Sequence, residues 1–316
     1  MRQEAKMAES VKRSKMSGEK RKDLLFYILM MIFPIGQFSI FYIGVNFNSF
    51  LLSFQKIDLL SGNITWTFDN ISNAFEDLTS SASMLPLLKT SVLSYLLLLV
   101  IGTPLGVLFS FYIYKKLPFS NGFRVILFLP SIISAIVMVT IFQFFVERAI
   151  PAFALKLFDV QIRGLMENIS TRYATIMFYN IWVGFGTGVL MYSNGMSGIS
   201  PDIVESAHLD GAEGIREFWY ITLPLIYPTL STFLITGVAG IFTNQINLYS
   251  FYGAAAPVGV QTYGYYLYMQ TQLVQSMSSE AEYPPLAAKG LLMTCVAVPL
   301  TMLVKWALEK YGPQQE

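Results

Sequence analysis

Ser200-Pro-Asp-Ile-Val-Glu-Ser-Ala-His-Leu-Asp-Gly-Ala-Glu-Gly-Ile-Arg-Glu-Phe-Trp-Tyr-Ile-Thr-Leu-Pro224 is a charged interval between two long apolar runs. Ser200 can cap a helix, Pro201 suits its first position, and Asp202 and Glu205 fall where the helix dipole favours negative charge. Val204, Ala207, His208 and Gly211 recur at i, i+3, i+4, i+7 and give a narrow face of small side chains. Gly211 then breaks or bends the helix. Ile215, Phe218, Trp219 and Thr222 repeat the spacing in a second short helix that Pro224 closes. Two short helices at roughly right angles are expected, with Glu205 and Asp210 offering acceptors at the corner. A helix lying on lipid favours Lys and Arg on its polar face, whereas this interval sets five acids against Arg216. That charge favours a protein partner.

Outward from this elbow the chain is apolar. Its 316 residues are 54% hydrophobic and only 13% charged, about half the charge of an average soluble domain, and the mean hydropathy is +0.51. A net charge of +1 argues against nucleic acid as a partner. A single cysteine, Cys295, excludes an internal disulfide framework, and a single histidine, His208, excludes a multi-histidine metal centre. An integral membrane protein remains.

A spanning helix needs about 20 mostly apolar residues. Charge-free runs at Leu24–Gln55, Thr90–Tyr114, Val125–Val146 and Tyr173–Pro201 supply four spans. Phe218–Ser279 carries no formal charge and is too long for one helix; about Leu225–Tyr249 reads as a fifth span, ended by Tyr252-Gly-Ala-Ala-Ala-Pro-Val-Gly259. Lys289 and Lys305 bracket a sixth at about Leu286–Trp306. With the amino terminus inside, two thirds of the 21 basic residues fall on the cytoplasmic side, so both termini and the elbow are expected there. Residues 1–23 read as a basic tail touching anionic lipid, 24–54 as a retained first helix rather than a signal peptide, 55–84 as an extracellular loop, 85–308 as the core, and 309–316 as a cytoplasmic tail. Three Asn-x-Ser/Thr triplets, at Asn63, Asn70 and Asn168, fall outside and matter only in a cell that glycosylates its proteins.

Glu205-Ser-Ala-His-Leu-Asp-Gly-Ala212 followed by Phe218, Ile221, Leu223-Pro224 and Pro228 is similar to the EAA loop of ABC importer permeases, with Ser206 replacing that motif's first alanine. Phe123-Arg124 before Phe128-Leu129-Pro130, and Asn244-Gln245 before Ala-Ala-Ala-Pro257, extend the resemblance over about residues 85 to 305, closest to the maltose-type carbohydrate branch, first-subunit kind. It implies an all-α polytopic membrane protein with six transmembrane helices and a cytoplasmic coupling helix, the type I ABC importer permease fold, in the bacterial inner membrane. Glu205, Ser206, Ala207, Asp210, Gly211 and Ala212 would then couple to an ATPase. No Gly-x-x-x-x-Gly-Lys-Ser/Thr phosphate loop occurs, so ATP and Mg would be held by other chains. The resemblance implies two ATPase subunits, a second homologous permease and an extracellular solute-binding protein as partners; no metal or catalytic residue is expected in this chain.

A sugar path needs polar groups inside the bilayer. Asn244, Gln245 and Asn247 are placed in the fifth span, Asn180 and Trp182 in the fourth, and Gln143 in the third. Amides can meet sugar hydroxyls and an aromatic face can stack on a pyranose; the same amides can equally serve as interhelical glue. Tyr249 and Tyr252 fit an interfacial belt. His208 reads as facing solvent or partner, with no acid fixed beside it. A non-sugar solute such as a glycerol-phosphate is the alternative cargo. A secondary transporter would place ionisable groups at mid-membrane, where none is expected here, and a membrane transferase would need a convergent acid/base set.

Overall fold

The computed structural model describes residues 2–58, 62–80, 84–277 and 280–313. Residues 59–61 and 81–83 of the expected outer loop, 314–316 of the expected tail, and Met1 lie outside them. Hydrocarbon leaves backbone groups only their own segment to bond with, so apolar runs become helices. Helical backbone begins at Arg2, and its apolar part forms α1 (Lys20–Leu52). A short antiparallel hairpin follows, β1 (Gln55–Ile57) on β2 (Ile64–Trp66), with Lys56 opposite Thr65. Next come α2 (Asp69–Ser80), α3 (Met84–Tyr114), α4 (Ser120–Ile132), α5 (Ala135–Phe158) and α6 (Ile169–Ser197). The elbow comprises α7 (Pro201–Leu209) and α8 (Ile215–Leu225), and the chain ends with α9 (Tyr227–Ala239), α10 (Leu248–Tyr252), α11 (Tyr263–Met277) and α12 (Tyr283–Tyr311).

Among the described residues five helices, α1, α3, α5, α6 and α12, are long and apolar enough to cross a membrane. The pair α8 and α9, bent by 66°, makes a sixth. The bend falls at Ile226, between Pro224 and Pro228, neither of which has an N–H to continue the ladder.

Two spans differ from their sequence expectation. The run expected at 125–146 is broken: α4 ends at Ile133 (ψ 142°), Ser134 is extended, and the membrane-length helix is α5, running on to Phe158. A charge-free window cannot detect a break made of uncharged residues, and it stops too early at Glu147. That carboxylate lies well inside α5, with Oε1 accepting from Met166 N at 2.6 Å. The fifth span, expected to reach Tyr249, ends as helix at Ala239, and residues 240–247 are unwound. The amides Asn244, Gln245 and Asn247 therefore sit on irregular backbone. The third Asn-x-Ser/Thr triplet has a local structural job: Asn168 caps α6, its Oδ1 accepting from Ser170 N at 3.1 Å.

The described helices pack as α3 and α4 on α6, α9 and α2 on α12, and α11 on α3. Gly186 of α6 allows α4 to approach, since a Cβ there would lie 1.9 Å from the Leu127 carbonyl oxygen. One buried cluster centres on Phe142, Tyr179 and Phe251; a second joins Leu87, Val238, Tyr263 and Met293. The third, Val107, Tyr192, Met196, Phe218 and Ile226, seats the elbow against α3 and α6. By contrast, α1 stands off the body, its apolar window fully exposed, and touches α12 only near its carboxyl end.

Candidate functional site

Backbone geometry explains the elbow's sequence. Ser200 Oγ accepts from Asp202 N at 3.3 Å, and Pro201 opens α7. At the other end Gly211 takes φ +80°, Gly211 N–H donates to His208 O (3.0 Å) and Ala212 N–H donates to Ala207 O (2.9 Å). Those two bonds form a Schellman cap with Gly211 at its left-handed position. Ala207 and Ala212 are thus the two ends of one main-chain capping bond. Ala207 is buried and Val204, His208 and Ala212 are half-buried, so the small face turns toward the chain's own body. Glu205, Ser206, Asp210 and Gly211 stay exposed, beside Leu209 at 85% exposure and Ile215 at 61%. An apolar tip ringed by carboxylates is a docking surface suited to a protein rather than to anionic lipid.

His208 departs from its expectation. Its Nε2 lies 2.9 Å from Glu217 Oε2, and Glu217, 0% exposed, also receives Lys115 Nζ at 2.7 and 3.0 Å. Lys115 caps the end of α3, so one buried carboxylate ties α7, α8 and α3 together. Sequence reading missed this knot. Its only signal was an acid in front of the apolar run starting at Phe218, with nothing to indicate a partner 102 positions away.

The second feature is a cavity of about 490 Å³ between α3, α9 and the unwound 240–247 stretch. Its polar wall is Ser91, Ser94, Tyr95, Thr103, Thr236, Thr243, Asn244 and Thr262, with Tyr192 and Phe233 as aromatic faces; none of its lining residues is acidic or basic. A smaller cavity of about 190 Å³ shares Leu98, Thr103 and Tyr192 with it and adds Asn180, Gly184 and Gly188 of α6. Irregular backbone at this depth is tolerated where it is enclosed by protein or lines a water-filled space.

The candidate path residues separate. Asn180 Nδ2 donates to Ile176 O and Ile246 O, both at 2.9 Å, and its Oδ1 accepts from Asn247 Nδ2 at 2.8 Å. Asn244 Oδ1 accepts from Ile246 N at 2.8 Å. These amides hold Ile246 (φ +43°) and Asn247 (φ +59°) in the left-handed region, where a β-branched residue is strained. Asn244 also lines the larger cavity and Asn180 the smaller. Gln245 gives its carbonyl to Leu248 N. Gln143 Nε2 donates to Phe251 O at 3.0 Å, a strut between α5 and α10, and Trp182 packs near Phe142 and Tyr179. Neither Gln143 nor Trp182 lines these two cavities. The hydroxyls of Tyr95, Thr103, Thr236 and Thr243 went unrecognised because single Ser, Thr and Tyr residues in an apolar run look like packing. Thr262 Oγ1 donates to Asn244 O at 2.8 Å, and Gly264 lets α11 dock there, since a Cβ would lie 2.5 Å from Thr243 C and O.

The chain is similar to known proteins in sequence and in fold. The chain is 26% identical over 239 residues, 74% of each protein, to the arabinooligosaccharides transport system permease protein AraP of Bacillus subtilis (strain 168). It is 22% identical over 212 residues, 64% of this chain and 72% of the relative, to the multiple sugar-binding transport system permease protein MsmF of Streptococcus mutans serotype c (strain ATCC 700610 / UA159). A chain of a bacterial ABC transporter involved in import of the acidic polysaccharide alginate superposes with TM-score 0.74 at 19% identity, covering 94% of this chain and 99% of that one. A second structure, a bacterial alginate ABC transporter in complex with an alginate pentasaccharide-bound periplasmic protein, gives 0.72 at 20% identity, covering 92% and 96%. The family model described as "Binding-protein-dependent transport system inner membrane component" matches residues 102–314, from within α3 through the elbow and past the end of α12. The chain therefore belongs to the family of binding-protein-dependent transport system inner membrane components.

Proposed function

We propose that this chain is a membrane-spanning permease subunit of an ATP-driven importer and lines the passage of an uncharged carbohydrate. Support for a sugar comes from the relatives' cargoes and from the cavity wall of hydroxyls, one amide and aromatic faces. A glycerol-phosphate would call for a cation on that wall, and its lining has none. ATP is held by separate ATPase subunits. A second, homologous permease completes the passage, and the long exposed face of α1 offers it an apolar surface. An outer solute-binding protein delivers the sugar, in parallel with the periplasmic protein of the solved alginate transporter.

Mechanically, the exposed tip of the elbow seats in one ATPase. When ATP draws the two ATPases together, α7 and α8 move as a body, α3 and α9 tilt with them, and the cavity changes the side to which it opens. Such a switch needs the ATPase to bind one arrangement better than the other. The elbow and both termini face the cytoplasm in this reading. The observation that carries it is a rigidly capped, exposed elbow tied to a helix that lines the cavity. A photo-crosslinker at Leu209 should capture a nucleotide hydrolase; capture of phospholipid alone overturns the proposal.

A further inference from the structure

The geometry points to Glu217 as a positioning residue that makes the elbow and the cavity-lining helix α3 move as one body. The inference rests on the importer reading and adds a specific linkage to it. Glu217 is the centre of three segments distant in sequence: His208 closes α7 onto it at 2.9 Å, Lys115 closes α3 onto it through both oxygens, and it rides on α8 itself. Phe218 and Ile226 pack beside it against Val107, Tyr192 and Met196, but such apolar contacts are non-directional and allow sliding. A bidentate charged bond fixes register as well as proximity. Lys115 lies twelve positions along α3 from the cavity residue Thr103, which a helix spans in about 18 Å. The stretch between them, Thr103–Tyr114, is unbroken α-helix. A displacement of α8 therefore reaches the wall without a hinge on the way.

A structural role and a positioning role separate because a buried ion pair replaced by apolar residues of similar volume is often neutral or stabilising for folding. The double variant Lys115→Met/Glu217→Leu should keep the complex folded, with unchanged or raised thermal midpoint, while removing the directional link. The readout is maleimide labelling of Thr103→Cys on the α3 wall of the cavity, in a Cys295→Ser background, with the whole complex in proteoliposomes and with or without MgATP. With the native pair, MgATP should change the labelling rate by about tenfold, within the range of typical coupling free energies. In the double variant that ratio should collapse toward one while ATP is still hydrolysed. Reversal, Lys115→Glu/Glu217→Lys with His208→Gln to avoid repulsion, should recover most of the response. A double variant that responds to MgATP like the native pair overturns the role of Glu217 and leaves the importer reading intact. If the native pair itself shows no MgATP response, the importer reading fails.

Discussion

Gly211 offers a clean test of the elbow, because its backbone angle can be perturbed with no change in packing. It sits at φ +80°, and a Cβ added there would meet nothing within 4 Å. Gly211→Ala therefore isolates the left-handed conformation, costing roughly 1–2 kcal/mol. Gly211→Asn should cost less, since asparagine tolerates that region. Gly211→Pro locks φ near −65° and deletes the N–H that donates to His208 O at 3.0 Å, for about 3 kcal/mol or more in all. A nine-residue helix is marginal on its own, so these costs fall on whether the bent form is populated. Each ~1.4 kcal/mol is a factor of ten. The series predicts coupling falling in the order Gly, Asn, Ala, Pro, by about tenfold at Ala and at least a hundredfold at Pro. The assay is hydrolysis stimulated by sugar-loaded binding protein in proteoliposomes, normalised to the amount of complex inserted. Wild-type stimulation in Gly211→Pro would refute the argument, as would an inverted Asn–Ala order.

Gly186→Ala places its methyl carbon 1.9 Å from the Leu127 carbonyl oxygen, so α4 and α6 must separate by about 1.5 Å to reach ordinary contact. A loss of roughly 1–3 kcal/mol should appear as a lowered thermal midpoint in detergent, and an unchanged midpoint would contradict the close approach. Asn247→Ala leaves Asn180 with both of its donated bonds and should cost about 0.6 kcal/mol, whereas Asn180→Leu strands Ile246 O and should cost about 1–3 kcal/mol. Equal midpoints for the two would remove Asn180 from its place at the centre of the turn. Asn244→Asp puts a carboxylate on an uncharged wall and should lower uptake of a neutral oligosaccharide well below that of Asn244→Gln; equal uptake would mean that the solute passes elsewhere.

What the sequence makes legible depends on how local the cause is. The spans at 84–114, 169–197 and 283–311 are legible because hydrocarbon rewards an uninterrupted apolar run, whatever its partners. The elbow is legible because Ser200, Pro201, Gly211 and Ala212 satisfy helix ends within a few residues. The extended pair Ile133–Ser134 is not, because uncharged residues read alike in helix and in a break. Nor is the unwound 240–247 stretch: Asn180 of α6 and Thr262 ahead of α11 hold it open from elsewhere in the chain. The capping role of Asn168 is hidden for a related reason, since a capping side chain and a glycosylation acceptor share the same three residues.

The breaks that sequence could not show are what give the cavity its place. Toward the elbow, α3 is regular from Thr103 to Tyr114 and α9 from Tyr227 to Ala239. Just beyond those stretches, α3 widens into a π-helical turn at Leu98–Gly102 and α9 dissolves at 240–247. The cavity lies at that boundary: Leu98, Leu99 and Thr103 line one side, and Gly237, Gly240 and Thr243 the other. Stiff helix transmits displacement, whereas π-turns and unwound backbone absorb it. With α3 stiff from its tie at Lys115 up to that level, and α9 reached through the π-helical turn at Phe218–Thr222 and the bend at Ile226, the elbow's motion would fall on the α3 wall of the cavity. A path lined by helices regular throughout would spread that motion along the whole bundle, and a wall change large enough to re-orient a solute would then require a far larger stroke from the motor.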